Sequence, residues 1–280
     1  MIWRDLVHKK QKTERKKEMN KTLKNALIII AIILLIALIG GVCYGIYQKV
    51  TYHPQNPVAT ITVKDFGVIK VELYPQYAPN TVANFVKLAN NGFYNGLTFH
   101  RTIPEFMIQG GDLNGNGTGS PKLSNLDSSK AEDAYTIKGE FIANGFNQNK
   151  LKHEKGVISM ARSDYSQLSP SLTQQGYNSA GSQFFITTAE QPSLDGNYAA
   201  FGKVVEGMEV VEKIANVEVV TRDASANEGV DKPVNPPVIE SISVENYGVD
   251  YGMPETQTPF DYTSWIMQQY GQSSTGTAGE

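Results

Sequence analysis

Two hydrophobic patterns divide the chain. In the first, apolar positions are continuous. No charged residue occurs from Asn25 to Gln48, and residues 26–39 are aliphatic without interruption. A run apolar on every side lacks the polar face that a core helix normally keeps, and it matches the roughly 20 residues needed to cross the hydrocarbon layer of a bilayer. Tyr44 and Tyr47 stand near one end, where interfacial aromatics anchor a span. The expected order is a basic arm over 1–24, a transmembrane helix over 25–48, and a linker over 49–57 that carries Pro54 and Pro57.

From residue 58 the pattern changes to short alternating stretches. Val58 to Val63 alternates, Asp65-Phe-Gly67 makes a turn, and 68–74 alternates again, which predicts a β-hairpin. Pro79 and Asn80 open a helix with apolar positions at Val82, Phe85, Val86 and Ala89, stopped by Asn91-Gly92. Further strands are predicted over 97–103, 106–109, 156–161, 183–187, 201–205 and 238–245. A second helix over 206–215 places Met208, Val211 and Ile214 on one face. Residues 110–135, rich in Gly, Asn and Ser, read as a long loop. Many short strands with two helices predict a mainly β fold, a closed antiparallel barrel with helical caps. Residues 246–280, rich in Gly, Gln, Ser and Thr, read as a flexible tail. Its Trp265-Ile-Met267 is either a docking spot or an adventitious apolar cluster.

Charge sharpens the division. Residues 1–49 hold ten Lys or Arg against Asp5, Glu14 and Glu18, a balance of +7, so with −3 for the whole chain residues 50–280 carry −10. An acidic body argues against nucleic acid as a partner. The basic arm ahead of the apolar run places the N-terminus in the cytoplasm and the body outside, at the cell membrane, with the arm against anionic lipid. Two rivals to an uncleaved anchor stay open. One is a cleaved signal peptide, although the run is long and no clean small-x-small cut site follows it. The other is lipidation at Cys43, although Val42 stands where a small residue is usual. Cys43 is the only cysteine, so no intrachain disulfide can form.

Several chemical motifs fail on inspection. Asp112-Leu-Asn-Gly-Asn-Gly117 begins like a calcium loop, but Leu123 stands where the bidentate Glu belongs. Gly115-Asn-Gly-Thr-Gly119 lacks the Lys-Ser/Thr of a phosphate loop, and His153-Glu154 has no second histidine at zinc-protease spacing. There is no G-x-S-x-G elbow. Neither a covalent nucleophile nor a metal or cofactor site is evident.

What remains is a polar–aromatic constellation: Phe99-His-Arg-Thr-Ile-Pro-Glu-Phe-Met-Ile-Gln-Gly-Gly-Asp112, Ser159-Met-Ala-Arg162, Asn178-Ser-Ala-Gly-Ser-Gln-Phe-Phe-Ile186 and Leu194-Asp-Gly-Asn-Tyr-Ala-Ala-Phe-Gly202. Pattern alone allows a bland account, in which Phe106, Met107, Phe184 and Phe185 are barrel core and Arg101 is a surface ion-pair residue. At these residues, however, the chain closely resembles the cyclophilin family of peptidyl-prolyl isomerases, over roughly 58–245 and with the motifs in the family's order. The resemblance implies an eight-stranded barrel closed by two helices. It implies that Arg101 is the catalytic arginine, that Phe106, Met107, Phe185 and Leu194 line a proline pocket, and that Gln109, Ala161 and Gln183 line the substrate groove. Arg162 and Tyr198, the latter also against substrate, resemble the bacterial branch. The implied activity is cis–trans isomerisation of X-Pro bonds in secreted or surface proteins, with no cofactor. Ser193 departs from the tryptophan or bulky apolar residue of other members, so cyclosporin-type macrocycles are expected to bind weakly. A proline-segment chaperone or a scaffold with little turnover stays as the alternative. The loops at 113–135, 143–150 and 163–177 look longer than in compact members.

Overall fold

A computed structural model describes residues 2–51, 55–220 and 231–273. The chain separates into two compact units, 1–54 and 55–280.

The first unit is a single helix, α1 (Ile2–Thr51). It continues through the basic arm and past the apolar run, where the sequence places breaks at 24 and 48. At 1.5 Å per residue, the charge-free 25–48 stretch covers about 36 Å, enough for a hydrocarbon layer of about 30 Å. Among the described residues this is the one helix long and apolar enough to span a membrane; a signal sequence near the N-terminus can be as long and as apolar.

The second unit is built on eight antiparallel strands: β1 (Val58–Val63), β2 (Gly67–Leu73), β3 (Phe99–Ile103), β4 (Met107–Gly110), β5 (Val157–Met160), β6 (Phe184–Thr187), β7 (Ala200–Glu206) and β8 (Ile239–Glu245). Their order in one sheet is β3-β4-β6-β5-β7-β2-β1-β8. Two longer helices pack on it, α2 (Pro79–Asn90) and α3 (Met208–Ala215). The alternation in the sequence is the cause of the strand faces. In β1 every second residue, Ala59, Ile61 and Val63, is buried; in β8 Ile242 and Val244 keep that alternation, and a register irregularity between Ile239 and Ser241 returns Ile239 to the buried face. The strands near the middle of the sheet, β5 and β6, are buried on both faces, as runs without alternation demand.

The barrel is open, not closed as the sequence predicts. The edge strands β3 and β8 form no shared ladder; their ends meet at the isolated bridge Thr98↔Val238, where Gly96 N–H donates to Ile239 O and Ile239 N–H to Leu97 O (both 2.8 Å). The segment leading into β8 crosses the edge instead. Thr102 N–H donates to Asp231 O (2.9 Å) and Phe99 N–H to Pro237 O (2.9 Å). Pro233, Pro236 and Pro237 have no N–H to give, so these three positions can accept but not donate across the edge.

The core gathers Phe85, Tyr94, Phe99, Phe184 and Phe201 with aliphatic residues from six strands and both helices. Phe184 meets Phe85 and Tyr94 edge-on, with centroids at 5.6 and 5.7 Å, the arrangement that ring quadrupoles favour. Helix α2 has Ala78 at its N-cap and no local side-chain cap. Its open donors are met by Glu140, whose carboxylate accepts from Asn80 N–H (3.0 Å), Thr81 N–H (2.7 Å) and Thr81 Oγ1 (2.7 Å). Burial pushes the Glu140 carboxyl above the usual range against the pull of these bonds.

The chain after β8 also differs from the flexible tail read in the sequence. Thr136 and Gln257 exchange backbone hydrogen bonds (2.9 and 2.7 Å), and the Asn80 side chain bonds both N–H and C=O of Glu255 (2.7 and 3.0 Å). Pro254 is buried, and a helix, α4 (Tyr262–Ser273), follows. The Trp265-Ile-Met267 cluster lies on α4, with Met267 exposed.

Candidate functional site

Strand register assembles the site. Arg101 on β3 pairs with Gln109 on β4, Gln109 with Phe185 on β6, and Phe185 with Ser159 on β5. Directly paired residues share a face, so these four form one row across four strands. One residue along, Ile108, Ile186 and Ile158 form the opposite row, in the core. A one-residue slip would exchange the two. The same alternation separates neighbouring rings: Phe184 enters the core, while Phe185 faces the site. Met107, two positions from Gln109, joins the site face.

Turns supply the rest. The β3–β4 turn has Pro104 at its second position and Glu105 in the left-handed region (φ 57°); Phe106 follows immediately. Ala161 leaves β5 with its N–H on Gln183 O (2.9 Å). Leu194 closes the short helical turn Pro192–Leu194.

Together these residues enclose a small cavity of about 120 Å³, lined by Arg101, Phe106, Met107, Gln109, Ala161, Phe185, Leu194 and Tyr198. Small-molecule sites typically measure roughly 300–1,000 Å³, so this one suits a single side chain. Eight of the nine residues singled out in the sequence therefore meet around one cavity. The ninth, Gln183, lies beside it, where Gln109 Nε2 donates to its Oε1 (3.0 Å). Gln183 Nε2 in turn faces Asp112 Oδ1 (3.2 Å) and Gly117 O (3.1 Å). The Asp112 carboxylate also accepts backbone N–H groups of Asn116, Gly117 and Gly119 at 2.6–2.8 Å. Those bonds give the 112–119 glycines a loop-closing use. Ser193 is exposed and lies outside the cavity lining.

The bland account of Phe106, Met107, Phe184 and Phe185 thus splits by residue. Only Phe184 belongs to the main core. Arg101 does make an ion pair, to Asp231 at 3.6 Å, with 41% of its side chain exposed, and it lines the cavity as well.

Around the cavity stand further groups to which the sequence assigned no part in the site, His153, Asp195 and Ser159 among them. The His153 ring stacks on Phe185 (6.0 Å, 16°), and Tyr198 meets Phe185 edge-on (5.7 Å, 86°). His153 Nδ1 lies 3.1 Å from Asp195 Oδ1, and Nε2 lies 3.2 Å from Ser159 Oγ. Burial lowers the His153 pKa, with Asp195 pulling the other way. The Arg162 guanidinium lies 4.5 Å from the Tyr198 ring centre and 5.0 Å from that of Tyr177, and its Nε donates to Asn197 O (3.0 Å). Arg162 also lines the cavity; its place directly after Ala161 was the available signal. Asp231 had none, because its pairing crosses the sheet edge.

The family model for cyclophilin-type peptidyl-prolyl cis-trans isomerase matches residues 58–244. The chain is 43% identical over 158 residues to peptidyl-prolyl cis-trans isomerase B of Bacillus subtilis, covering 56% of this chain and 90% of that one. It is 35% identical over 178 residues to peptidyl-prolyl cis-trans isomerase CYP18-2 of Arabidopsis thaliana, covering 63% and 92%. Among solved structures, a cyclophilin-type isomerase of Cryptosporidium parvum, crystallised in the presence of the dipeptide Ala-Pro, aligns with a TM-score of 0.51 at 28% identity, over 67% of this chain and 98% of that one.

Proposed function

The chain belongs to the cyclophilin-type peptidyl-prolyl cis-trans isomerase family and is an isomerase of that kind, and we propose that it accelerates X-Pro rotation by stabilising the twisted peptide bond with Arg101. One observation carries the proposal: the Arg101 guanidinium and the apolar side chains of Phe106, Met107, Ala161, Phe185 and Leu194 line one cavity sized for a single ring.

Rotation about X-Pro is slow because amide resonance must be broken, at a cost of roughly 18–20 kcal/mol. As the bond twists, the prolyl nitrogen loses conjugation and becomes a better hydrogen-bond acceptor. A donor aimed at it, or at the neighbouring carbonyl, binds the twisted form more strongly than the planar one, and only such differential binding raises the rate. Phe106, Met107, Phe185 and Leu194 would hold the proline ring while the preceding residue turns. They also exclude water, which strengthens the Arg101 contribution. Gln109, Ala161 and Gln183 would bind the flanking backbone. No bond is cleaved in this scheme, so it asks for no nucleophile.

The substrate in this proposal is a proline-containing polypeptide, in keeping with the Ala-Pro dipeptide used with the solved relative. Residues 58–245 form the isomerase domain, and residues 25–48 of α1 anchor it to the cell membrane. The positive-inside rule then puts the domain outside, where it acts on secreted or surface proteins as they fold. Exchange NMR on a short Ala-Pro peptide with and without the protein tests the activity: line broadening between cis and trans signals is expected, and its absence at stoichiometric protein would refute the site assignment.

A further inference from the structure

Two guanidinium groups line the small cavity, and the protein treats their charges differently. Arg101 has a carboxylate beside it, Asp231 at 3.6 Å. Arg162 has none: among the described residues no Asp or Glu oxygen lies within ion-pair distance of it. Asp164, two positions further on, spends its carboxylate elsewhere, accepting from Ser166 N–H, Ser166 Oγ and Gln167 Nε2.

Aromatic rings hold Arg162 instead. Its guanidinium carbon lies 4.5 Å from the ring centre of Tyr198, 5.0 Å from that of Tyr177 and 5.6 Å from that of Phe141. All three fall within the roughly 6 Å over which a ring face attracts a cation. The rings brace one another as well. Phe141 and Tyr177 meet edge-on with centroids 5.2 Å apart, and Tyr198 stands edge-on to Phe185. Arg162 Nε donates to Asn197 O (3.0 Å) and Nη1 to Ser163 O (3.2 Å). A guanidinium has five N–H donors, so three are left without a partner among the described residues. The residue is half-buried and lines the cavity, which leaves its charge open to a ligand there.

We propose that Arg162 determines specificity, selecting substrates that carry an Asp or Glu side chain within two residues of the isomerised proline. The inference rests on the isomerase site described above and adds a charge preference to it. The rings orient the guanidinium without neutralising it, and an arriving carboxylate supplies the missing counter-ion. Arginine suits this use, because it is weakly hydrated and its planar fork matches a carboxylate. A side chain already fixed by three rings loses little rotamer freedom on binding. An extended chain advances about 3.3 Å per residue, so with the proline ring in the cavity the neighbouring side chains come within reach of Arg162. Residues 50–280 carry −10 in total, which opposes an acidic peptide at long range. Salt screens that repulsion beyond about 8–10 Å, so the contact at Arg162 decides the preference.

The test uses the full chain in a nonionic detergent and peptides with one proline in an alanine background. A single Glu, Gln or Lys is placed one or two positions to either side of the proline, and kcat/KM is read by exchange NMR. At the responsive position Glu should exceed its neutral isostere Gln about fivefold at low salt, the upper end of what a part-exposed ion pair supplies. The ratio should shrink toward one in about 1 M NaCl, where the screening length falls to about 3 Å. Arg162→Gln should bring the ratio close to one, and Arg162→Lys, which keeps the charge without the fork, should retain part of it. Arg162→Glu should invert the order, so that the Lys peptide exceeds the Gln peptide. Each ratio is taken on one preparation, so a loss of folded protein cancels from it. A wild-type ratio of one at every position would overturn the inference. A ratio that survives in Arg162→Gln, with equal loss on all three peptides, would also overturn it and leave Arg162 as a brace for Tyr198. If the wild type turns over none of the peptides, the isomerase site assignment falls first and the charge preference with it.

Discussion

Replacing Arg101 by alanine should separate activity from stability by a wide margin. The side chain is 41% exposed and its ion partner Asp231 stands 3.6 Å away, itself 27% exposed. Exposed pairs of this kind are worth about 0.2–1 kcal/mol. For a domain of this size each kcal/mol moves the thermal midpoint by roughly 2–4 °C, so the midpoint should fall by about 4 °C at most. Activity draws on a different quantity. A charged donor aimed at a transition state is worth about 2.7–4 kcal/mol, or 10²–10³ in rate. Arg101→Ala should therefore lose about a hundredfold or more in kcat/KM while melting close to the wild type. Arg101→Lys should stay poor, because an ammonium lacks the planar fork of donors. Exchange NMR and differential scanning calorimetry on the same preparations decide it. Wild-type activity in the alanine variant would refute the transition-state role, and a midpoint loss well beyond 4 °C would show that the residue serves the fold.

Phe185→Ala should damage both properties, because the ring is buried between His153 and Tyr198. A loss of about 3–5 kcal/mol is expected from urea unfolding, and an activity loss without a stability loss would contradict this packing. His153 and His100 both have pKa values lowered by burial. The unfolded chain therefore binds more protons just below the ordinary histidine value of about 6.5. Stability should fall as pH drops through that value, by up to about 1.4 kcal/mol per pH unit for each histidine, and His153→Asn should remove one histidine's share of the slope. An unchanged slope would count against it. Ser193→Trp should tighten cyclosporin binding about tenfold by calorimetry, since burying about 60 Å² at about 25 cal/mol per Å² is worth about 1.5 kcal/mol; tight binding by the unmodified protein would show that another residue already makes that wall. Protease added to intact spheroplasts should degrade residues 50–280 and spare the basic arm, and protection of the body would reverse the topology.

The sequence by itself determined what depends on near neighbours. Alternation over two residues wrote the strand faces of β1, and the uninterrupted run over 26–39 announced a helix of membrane-spanning length. The separated motifs around Arg101, Gln183 and Leu194 marked the residues that line the cavity or lie beside it. Only the tertiary structure decided how these parts face one another. Phe184 and Phe185 are alike as residue types, and it is the β4–β6 register that sends one to the core and the other to the site. Glu140 caps a helix about sixty positions earlier in the chain. Asp231 reaches Arg101 across the sheet edge, and β3 and β8 remain the two open edges of the sheet. Asn80 and Thr136 fasten a segment whose polar composition reads as a loose tail. Each of these contacts joins residues far apart in the chain. A local pattern reports which face a side chain takes; what it meets there is set by loop closure and register, which no short window of sequence contains.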